Sequence, residues 1–119
     1  MKNNILPVIS GILLATSLIQ CSKSDINDQS SANYCDGVSS NYTSDVQPII
    51  NTYCMLGTSC HSPGSTNAGG ELDTYTKVYA KRSAIRDAVY SGVMPQTGSL
   101  AADQKKKIVC WVDHGAQNN

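Results

Sequence analysis

The stretch NTYCMLGTSCHSPG, residues 51–64, holds the residues whose types and spacing could do chemistry. Cys54 is followed six residues later by Cys60, and His61 comes directly after Cys60. A cysteine next to a histidine is typical of covalent haem attachment, in which cysteine sulfurs form thioethers and the histidine binds the iron. The same residue types also suit a metal site or a disulfide, so the spacing matters.

The separation of the two cysteines differs from the usual C-x-x-C-H pattern. Cysteines three positions apart on a helical turn lie about 60° apart around the axis, so both reach one edge of a macrocycle. On an unbroken helix, Cys54 and Cys60 would lie about 120° apart around the axis and about 9 Å apart along it. We therefore expect residues 55–59 to loop outward, helped by Gly57. The alternative is a single thioether from Cys60, with Cys54 used elsewhere.

Met94, in SGVMPQTG, is the candidate for a second axial ligand of haem iron. A methionine thioether is a soft donor that raises the reduction potential. Pro95 makes the loop rigid and removes an amide that would need a partner. A loop methionine can simply fill a gap, but a position thirty-three residues after His61, between two predicted helices, favours the ligand role.

His114 lies four residues after Cys110, so the two would share one face of the last predicted helix. With Cys60 and His61 they would form a four-residue zinc or copper set. We prefer a surface position for His114, where a partial positive charge suits the C-terminal end of a helix. Because these are the only two histidines and the carboxylates are scattered, nothing indicates a hydrolytic site.

The first element that must position these residues is a helix beginning in TSDVQPII. Thr43, Ser44 or Asp45 is the expected cap, and Pro48 is tolerated only near the first turn. Apolar residues then recur at helical spacing up to the first cysteine: Val46, Ile49, Ile50, Tyr53 and Cys54.

Three further helices are predicted after a loop rich in Gly, Ser, Pro and Asn. One runs across YTKVYAKR with Asp73 or Thr74 as cap, and one runs through AIRDAVYS from Ser83 to Gly92. The last runs from about Ala101 to His114 and ends at Gly115. Its inward residues are Leu100, Ile108, Val109, Trp111 and Val112. The predicted fold class is small and all-α, with about four helices and long Gly/Pro-rich loops.

The N-terminal part of the chain carries a charge followed by an apolar run, which is typical of an export signal. Residues 1–20 are interpreted as a signal peptide, and SLIQC indicates lipidation of Cys21. An ordinary cleaved signal or a retained anchor is the alternative. Residues 21–42 are polar and are predicted to be a flexible tether, which leaves 43–119 as the domain.

The composition argues against nucleic-acid binding and indicates that the domain needs additional stabilisation. Nine Lys and Arg balance nine Asp and Glu, so no basic face for nucleic acid is expected. The triple lysine 105–107 is interpreted as a solvated helix face, the alternative being a docking patch for an acidic redox partner. The chain has one Trp and no Phe. A small domain with so few large apolar residues commonly needs a disulfide, a metal or a cofactor.

Several strings together resemble class I cytochrome c domains, in particular small lipoprotein-anchored ones of Bacteroidetes-type bacteria. They are DVQPIINTYC, CH at Cys60-His61, GGELDTYTKVYA, GVMPQTGSL and IVCWVDHGAQNN. The resemblance covers about residues 34–119 and implies a fold in which the first and last helices cross beside the haem edge. It further implies His61 as proximal ligand, Met94 as distal ligand, and Cys60, with Cys54 if the wider spacing is allowed, as attachment points for one haem c.

The resemblance implies an electron carrier of the cell envelope rather than an enzyme, or else a subunit or domain of a redox enzyme. Its partners would be redox proteins, with the membrane reached through the lipid on Cys21 and no small-molecule substrate. A disulfide between Cys35 and Cys110 fits this interpretation, since an exported protein meets an oxidising compartment. Other pairings remain open, and a Cys54–Cys60 disulfide competes with haem. The alternative function is a non-haem, disulfide-stabilised lipoprotein module with a binding or structural role.

Overall fold

The computed structural model describes residues 34–119. A π-helical turn, Tyr42–Val46, leads into α1, Gln47–Tyr53, and three further α-helices follow: α2, Tyr75–Ala80; α3, Arg82–Ser91; and α4, Ala102–Asp113. This part of the chain contains no strand, so the predicted all-α class with about four helices is confirmed for it. The predicted signal peptide, Cys21 and the first part of the predicted tether lie outside the described residues.

The first helical segment starts earlier than predicted, with Asn41 rather than Thr43, Ser44 or Asp45 at its N-cap. Asn119, at the far end of the chain, accepts hydrogen bonds from two of the first backbone N–H groups. Its side-chain oxygen accepts from Tyr42 N–H at 2.9 Å, and its backbone oxygen accepts from Thr43 N–H at 2.9 Å. The helix therefore begins where a distant residue satisfies its orphan donors.

The start of α2 follows its sequence signal, whereas the start of α3 does not. The Thr74 hydroxyl accepts a hydrogen bond from Lys77 N–H at 3.3 Å, as expected of a cap. Ser83, the predicted cap of α3, lies inside that helix, because α3 begins at Arg82. Only one residue separates α2 from α3, so no independent cap is needed there. Gly92 ends α3 in the left-handed conformation at φ +78°, as predicted.

The core is built around α4. Its residues Ile108, Val109 and Trp111 are buried, as predicted, and the Trp111 indole donates to the Gln117 carbonyl at 2.8 Å. The π-helical turn and the other helices contribute further buried side chains to the same core, at the spacing of an amphipathic helix. These are Val46, Ile49, Ile50, Val78 and Val89.

Residues 34–42, which the sequence assigns to the tether, pack against α4. The Cys35–Cys110 disulfide is present, and Cys35 and Tyr42 are buried. The Ser40 hydroxyl donates to the Lys107 carbonyl at 2.7 Å. The packed unit thus includes residues ahead of the predicted boundary at 43, because a covalent link and backbone contacts compensate for a polar sequence.

The triple lysine 105–107 is not simply a solvated face. The Lys106 ammonium lies 5.5 Å from the centre of the Tyr34 ring. The Lys107 ammonium donates to the Ser39 carbonyl at 2.5 Å and pairs with Asp45 at 3.2 Å. Two of the three lysines therefore fasten the N-terminal residues of the packed unit to α4. Within the described residues, no helix is both long enough and apolar enough to cross a membrane.

Candidate functional site

A cavity of about 310 Å³ lies between the end of α1, the loop that follows it, α3 and the loop after α3. Its volume falls in the range of about 300–1,000 Å³ that cofactor sites have. Its walls are mostly apolar and include Leu72 and Val89, both buried. All four residues predicted to hold a haem line this one cavity: Cys54, Cys60, His61 and Met94.

The segment between the two cysteines leaves the helix and closes into a compact loop, as the spacing predicts. α1 ends at Tyr53, and the loop is closed by a hydrogen bond from His61 N–H to the Cys54 carbonyl at 3.0 Å. Within it, Cys60 N–H donates to the Gly57 carbonyl at 3.0 Å. Gly57 has φ +134°, a conformation that side chains disfavour. The closed loop returns Cys60 to the side of the cavity where Cys54 already lies.

Cys54 and Cys60 are free thiols, both half-buried. Burial, reinforced by the neighbouring Cys60, raises the pKa of the Cys54 thiol to about 11. Cys54 therefore remains protonated at neutral pH and is a poor nucleophile there. The competing Cys54–Cys60 disulfide is not formed in the structure.

The orientation of the His61 imidazole is fixed by a backbone carbonyl. His61 Nδ1 lies 2.6 Å from the Gly70 carbonyl oxygen. Because a carbonyl only accepts hydrogen bonds, Nδ1 must carry the proton and donate. The neutral ring then keeps its lone pair on Nε2, which is the arrangement that a metal-binding histidine needs.

Gly69 packs directly against the same ring. A Cβ added at this position would lie 2.5 Å from His61 Cε1, closer than real side-chain atoms approach. The glycine is thus required by close approach rather than by an unusual backbone angle. It lets the loop press on one side of the imidazole while Gly70 holds Nδ1.

Asn67 brackets these two glycines, a role that the sequence interpretation missed. Its side-chain oxygen accepts from Gly69 N–H at 2.8 Å and from Gly70 N–H at 3.0 Å. Its side-chain nitrogen donates to the Cys60 carbonyl at 2.7 Å. Asn67 therefore ties the backbone of Cys60 to the peptide that orients His61. The signal for it was an Asn two residues ahead of Gly-Gly, a typical turn former.

Lys81, between α2 and α3, also lines the cavity and was not predicted to do so. Its ammonium donates to the Gly69 carbonyl. The carbonyls of both glycines are therefore occupied, one by Lys81 and the other by His61. No periodicity or spacing could have indicated this contact, since it depends on how α2 and α3 dock on the loop.

Met94 reaches the cavity because α3 ends three residues earlier, at Ser91. Gly92 turns the chain, and Met94 N–H donates back to the Ala88 carbonyl at 3.1 Å. Met94 is half-buried, and the next three residues also line the cavity. The predicted ligand loop thus lies along the same cavity as His61, although thirty-three residues separate the two in the sequence.

The zinc or copper set considered from the sequence does not assemble. The Cys110 sulfur is bonded to Cys35, and His114 is exposed just beyond the end of α4. Among residues 34–119, no three His, Cys, Asp or Glu side chains converge in a way that would hold a metal ion. The surface position predicted for His114 is therefore confirmed.

A wider depression of about 580 Å³ lies beside the disulfide, between residues 35–41 and the end of the chain. Its polar groups are largely bonded within the protein, as in the pair formed by Asn119 Nδ2 and Asn41 Oδ1 at 3.0 Å. No free thiol lines it. The smaller, apolar cavity is therefore the candidate functional site.

Comparison with known proteins adds no assignment: no protein-family model matches the chain, and no curated protein or solved structure is similar to it.

Proposed function

We propose that this chain is a monohaem c-type cytochrome domain that carries single electrons between redox proteins of the bacterial cell envelope. One observation carries the proposal. Cys54, Cys60, His61 and Met94 line a single cavity although they come from two loops far apart in the sequence. Two thiols, one imidazole and one thioether form the set that covalent attachment and axial ligation of a haem require.

The residues present fit this cofactor. Each thiol is free to form a thioether, and the proton on His61 Nδ1 leaves Nε2 as the donor atom. Mostly apolar walls suit a flat hydrophobic macrocycle and limit the access of water to it. When bound, the haem supplies a reversible one-electron couple.

Each residue has one task in this proposal. Cys60, and Cys54 with it, hold the cofactor through thioether bonds. His61 provides the proximal nitrogen, and its hydrogen bond to Gly70 keeps the ring in one orientation and raises its basicity as a donor. Met94 provides the distal sulfur and thereby a higher potential. The protein binds no substrate and is not an enzyme, unless it serves as a subunit or domain of a larger redox enzyme.

A cytochrome c-like fold and an exported location belong to the same proposal. The order of helix, Cys-His, glycine loop, short helices, Met-Pro and Trp-bearing helix supports the fold. The Cys35–Cys110 disulfide supports export, because disulfides persist in oxidising compartments. A signal peptide over residues 1–20 would then direct export and be removed, and a lipid on Cys21 would hold the domain at the membrane.

Intact mass is the direct test. Covalent haem adds about 616 Da to the chain, whereas a disulfide removes about 2 Da. We expect the heavier product after expression with a haem-maturation system, and we expect Cys60→Ala to lower its yield more than Cys54→Ala. A chain carrying two disulfides and no haem would instead establish the non-haem lipoprotein module.

Ligation by Met94 has a matched control in Met55, the methionine inside the cysteine loop, which does not line the cavity. Replacing Met94 by Leu keeps the bulk and removes the sulfur donor, so we expect a lower midpoint potential. The same replacement at Met55 should leave the potential unchanged. Equal potentials in both variants and the parent would remove Met94 as a ligand.

A further inference from the structure

Lys81 is the only formally charged side chain among those that line the cavity. Its ammonium donates to the Gly69 carbonyl. An ammonium has three N–H donors, so this bond leaves two of them for other partners. By contrast, the charge of the nearby Lys77 is paired with two carboxylates, Glu71 at 2.5 Å and Asp73 at 2.7 Å.

No carboxylate of residues 34–119 forms an ion pair with Lys81. A cation beside apolar walls loses hydration when a ligand fills the cavity, and this costs free energy unless the ligand supplies an opposite charge. The cavity also carries neutral polar side chains from Asn67, Gln96 and Thr97, but among its lining residues it has no anion of its own. The arrangement therefore favours a ligand with a large apolar body and at least one carboxylate.

We propose that Lys81 is the anion subsite of this cavity and pairs with a carboxylate of the bound porphyrin. This inference rests on the proposed function and adds to it which residue recognises the charged edge of the ligand. It goes beyond ligation, because an ion pair at one edge fixes how the macrocycle is rotated within the cavity.

The backbone connects this subsite to the proximal histidine. The Gly69 carbonyl accepts a hydrogen bond from Lys81, and the His61 ring packs where a side chain at residue 69 would lie. One glycine therefore sets the position of the cation relative to the imidazole. A ligand that meets both groups is held at two separate points by the same short loop.

The test compares two ligands with the same macrocycle, one carrying two carboxylates and the other carrying neutral methyl esters in their place. Ferric protoporphyrin IX and its dimethyl ester are titrated, in the same detergent, into the full chain produced without haem attachment, and binding is followed by absorbance. We expect the parent chain to bind the diacid more tightly than the ester. Lys81→Gln should weaken diacid binding about fivefold, the scale of a partly exposed ion pair, and leave ester binding unchanged.

Two further variants make the result specific. Lys81→Arg keeps the charge and should retain most of the preference for the diacid. Lys106→Gln removes a lysine that lies against Tyr34, away from the cavity, and should bind both ligands as the parent does.

The outcomes separate this inference from the proposed function. If Lys81→Gln binds the diacid as tightly as the parent, the subsite is wrong while the haem proposal stands. If this variant weakens both ligands equally, Lys81 acts through the Gly69 loop and not through charge, and the inference is again overturned. If the parent binds neither ligand, the subsite is overturned, and the intact mass of the chain expressed with haem maturation decides the proposed function separately.

Discussion

The two cysteine pairs of the described residues differ in oxidation state: one pair forms a disulfide and the other consists of two free thiols. Cys35 and Cys110 are 75 residues apart and are bonded to each other. Cys54 and Cys60 are only six residues apart and remain free. Closeness in sequence therefore does not decide which thiols are joined.

Their surroundings differ in the same way. Cys35 is 5% exposed and Cys110 is fully buried in the core, with their Cα atoms 5.3 Å apart, in the range usual for disulfides. Cys54 and Cys60 are half-buried and line the cavity, on a loop closed by backbone hydrogen bonds. One pair is bonded in the packed core, and the other pair is free and lines the cavity.

The largest expected difference between the pairs is in stability. Replacing both Cys35 and Cys110 by Ala opens a link that closes a loop of 75 residues. In the chain-entropy model this lowers the free energy of unfolding by about 4 kcal/mol. The Cys54→Ala/Cys60→Ala double variant, also without haem, should lose about 1 kcal/mol or less, because it removes only two half-buried sulfurs.

Denaturant unfolding of the haem-free chain measures both variants side by side. Since small domains have only about 5–15 kcal/mol in total, the first variant should unfold at a far lower denaturant concentration. Equal losses in the two double variants would contradict the division between a structural pair and a ligand pair.

The second expected difference lies within the free pair. Because the pKa of Cys54 is raised to about 11, its thiolate population at neutral pH is about a hundredth of that of a thiol with pKa 9.0. Iodoacetamide reacts with thiolates, so we expect Cys60 to be labelled well before Cys54. Peptide mass spectrometry of the haem-free chain over time gives both rates, with Cys35 and Cys110 unlabelled.

Unfolding in urea supplies the control for this labelling. There the burial that protects Cys54 is lost, and the two cysteines should react at similar rates. Labelling of Cys54 as fast as Cys60 in the folded chain would mean that its thiol is not desolvated.

The sequence was sufficient for those features that depend on local pattern. The apolar stripe from Val46 to Ile50, the Thr74 cap and the Gly92 stop follow from helical spacing and turn chemistry, and the structure has them. The looping out of residues 55–59 followed from helix geometry together with the expectation of one shared ligand, since cysteines about 120° apart around a helix and about 9 Å apart along it could not both meet it.

The features that were missed depend on contacts between distant segments. Asn119 sets the start of the first helix, and Lys81 reaches Gly69 only after α2 and α3 are docked. Neither contact can be recognised from the periodicity or the composition of the sequence. The Cys35–Cys110 disulfide was predicted and is present, but the packing of residues 34–42 around it was missed because their polar composition indicated a flexible tether.

Gly69 provides a smaller perturbation, confined to the cavity. Gly69→Ala should displace the His61 ring, since the new Cβ would lie 2.5 Å from Cε1. We expect a loss of about 2 kcal/mol in unfolding free energy, the usual cost of overpacking, together with a low yield of covalent haem. Unfolding curves and intact mass measure the two effects.

Gly37→Ala is the matched control on the disulfide side. Gly37 has φ +70° and nothing within 4 Å of an added Cβ, so its replacement strains the backbone without a steric contact. A loss of about 1–2 kcal/mol is expected, with normal haem attachment. If Gly37→Ala reduced attachment as much as Gly69→Ala does, general destabilisation rather than the His61 contact would be the cause.

The smallest expected effect concerns which nitrogen of His61 carries the proton. Asn67 holds Gly69 and Gly70 through their N–H groups, and Gly70 in turn accepts from His61 Nδ1. Asn67→Ala should release this carbonyl and weaken the preference for protonated Nδ1 by about 1 kcal/mol, the net value of one hydrogen bond. Nitrogen-15 NMR of the haem-free chain at alkaline pH reports the tautomer directly.

Asn67→Asp separates the hydrogen bonds that the Asn67 side chain accepts from the one that it donates. A carboxylate still accepts from Gly69 and Gly70 but no longer donates to the Cys60 carbonyl, so His61 should keep its tautomer. The exposed His114 serves as an internal reference in the same spectrum. If Asn67→Ala leaves the His61 signals as they are in the parent, the glycine loop holds the imidazole without Asn67. The backbone around Gly69 and Gly70 would then be sufficient to orient His61 in the cavity, just as the Cys35–Cys110 bond holds residues 34–42 on α4.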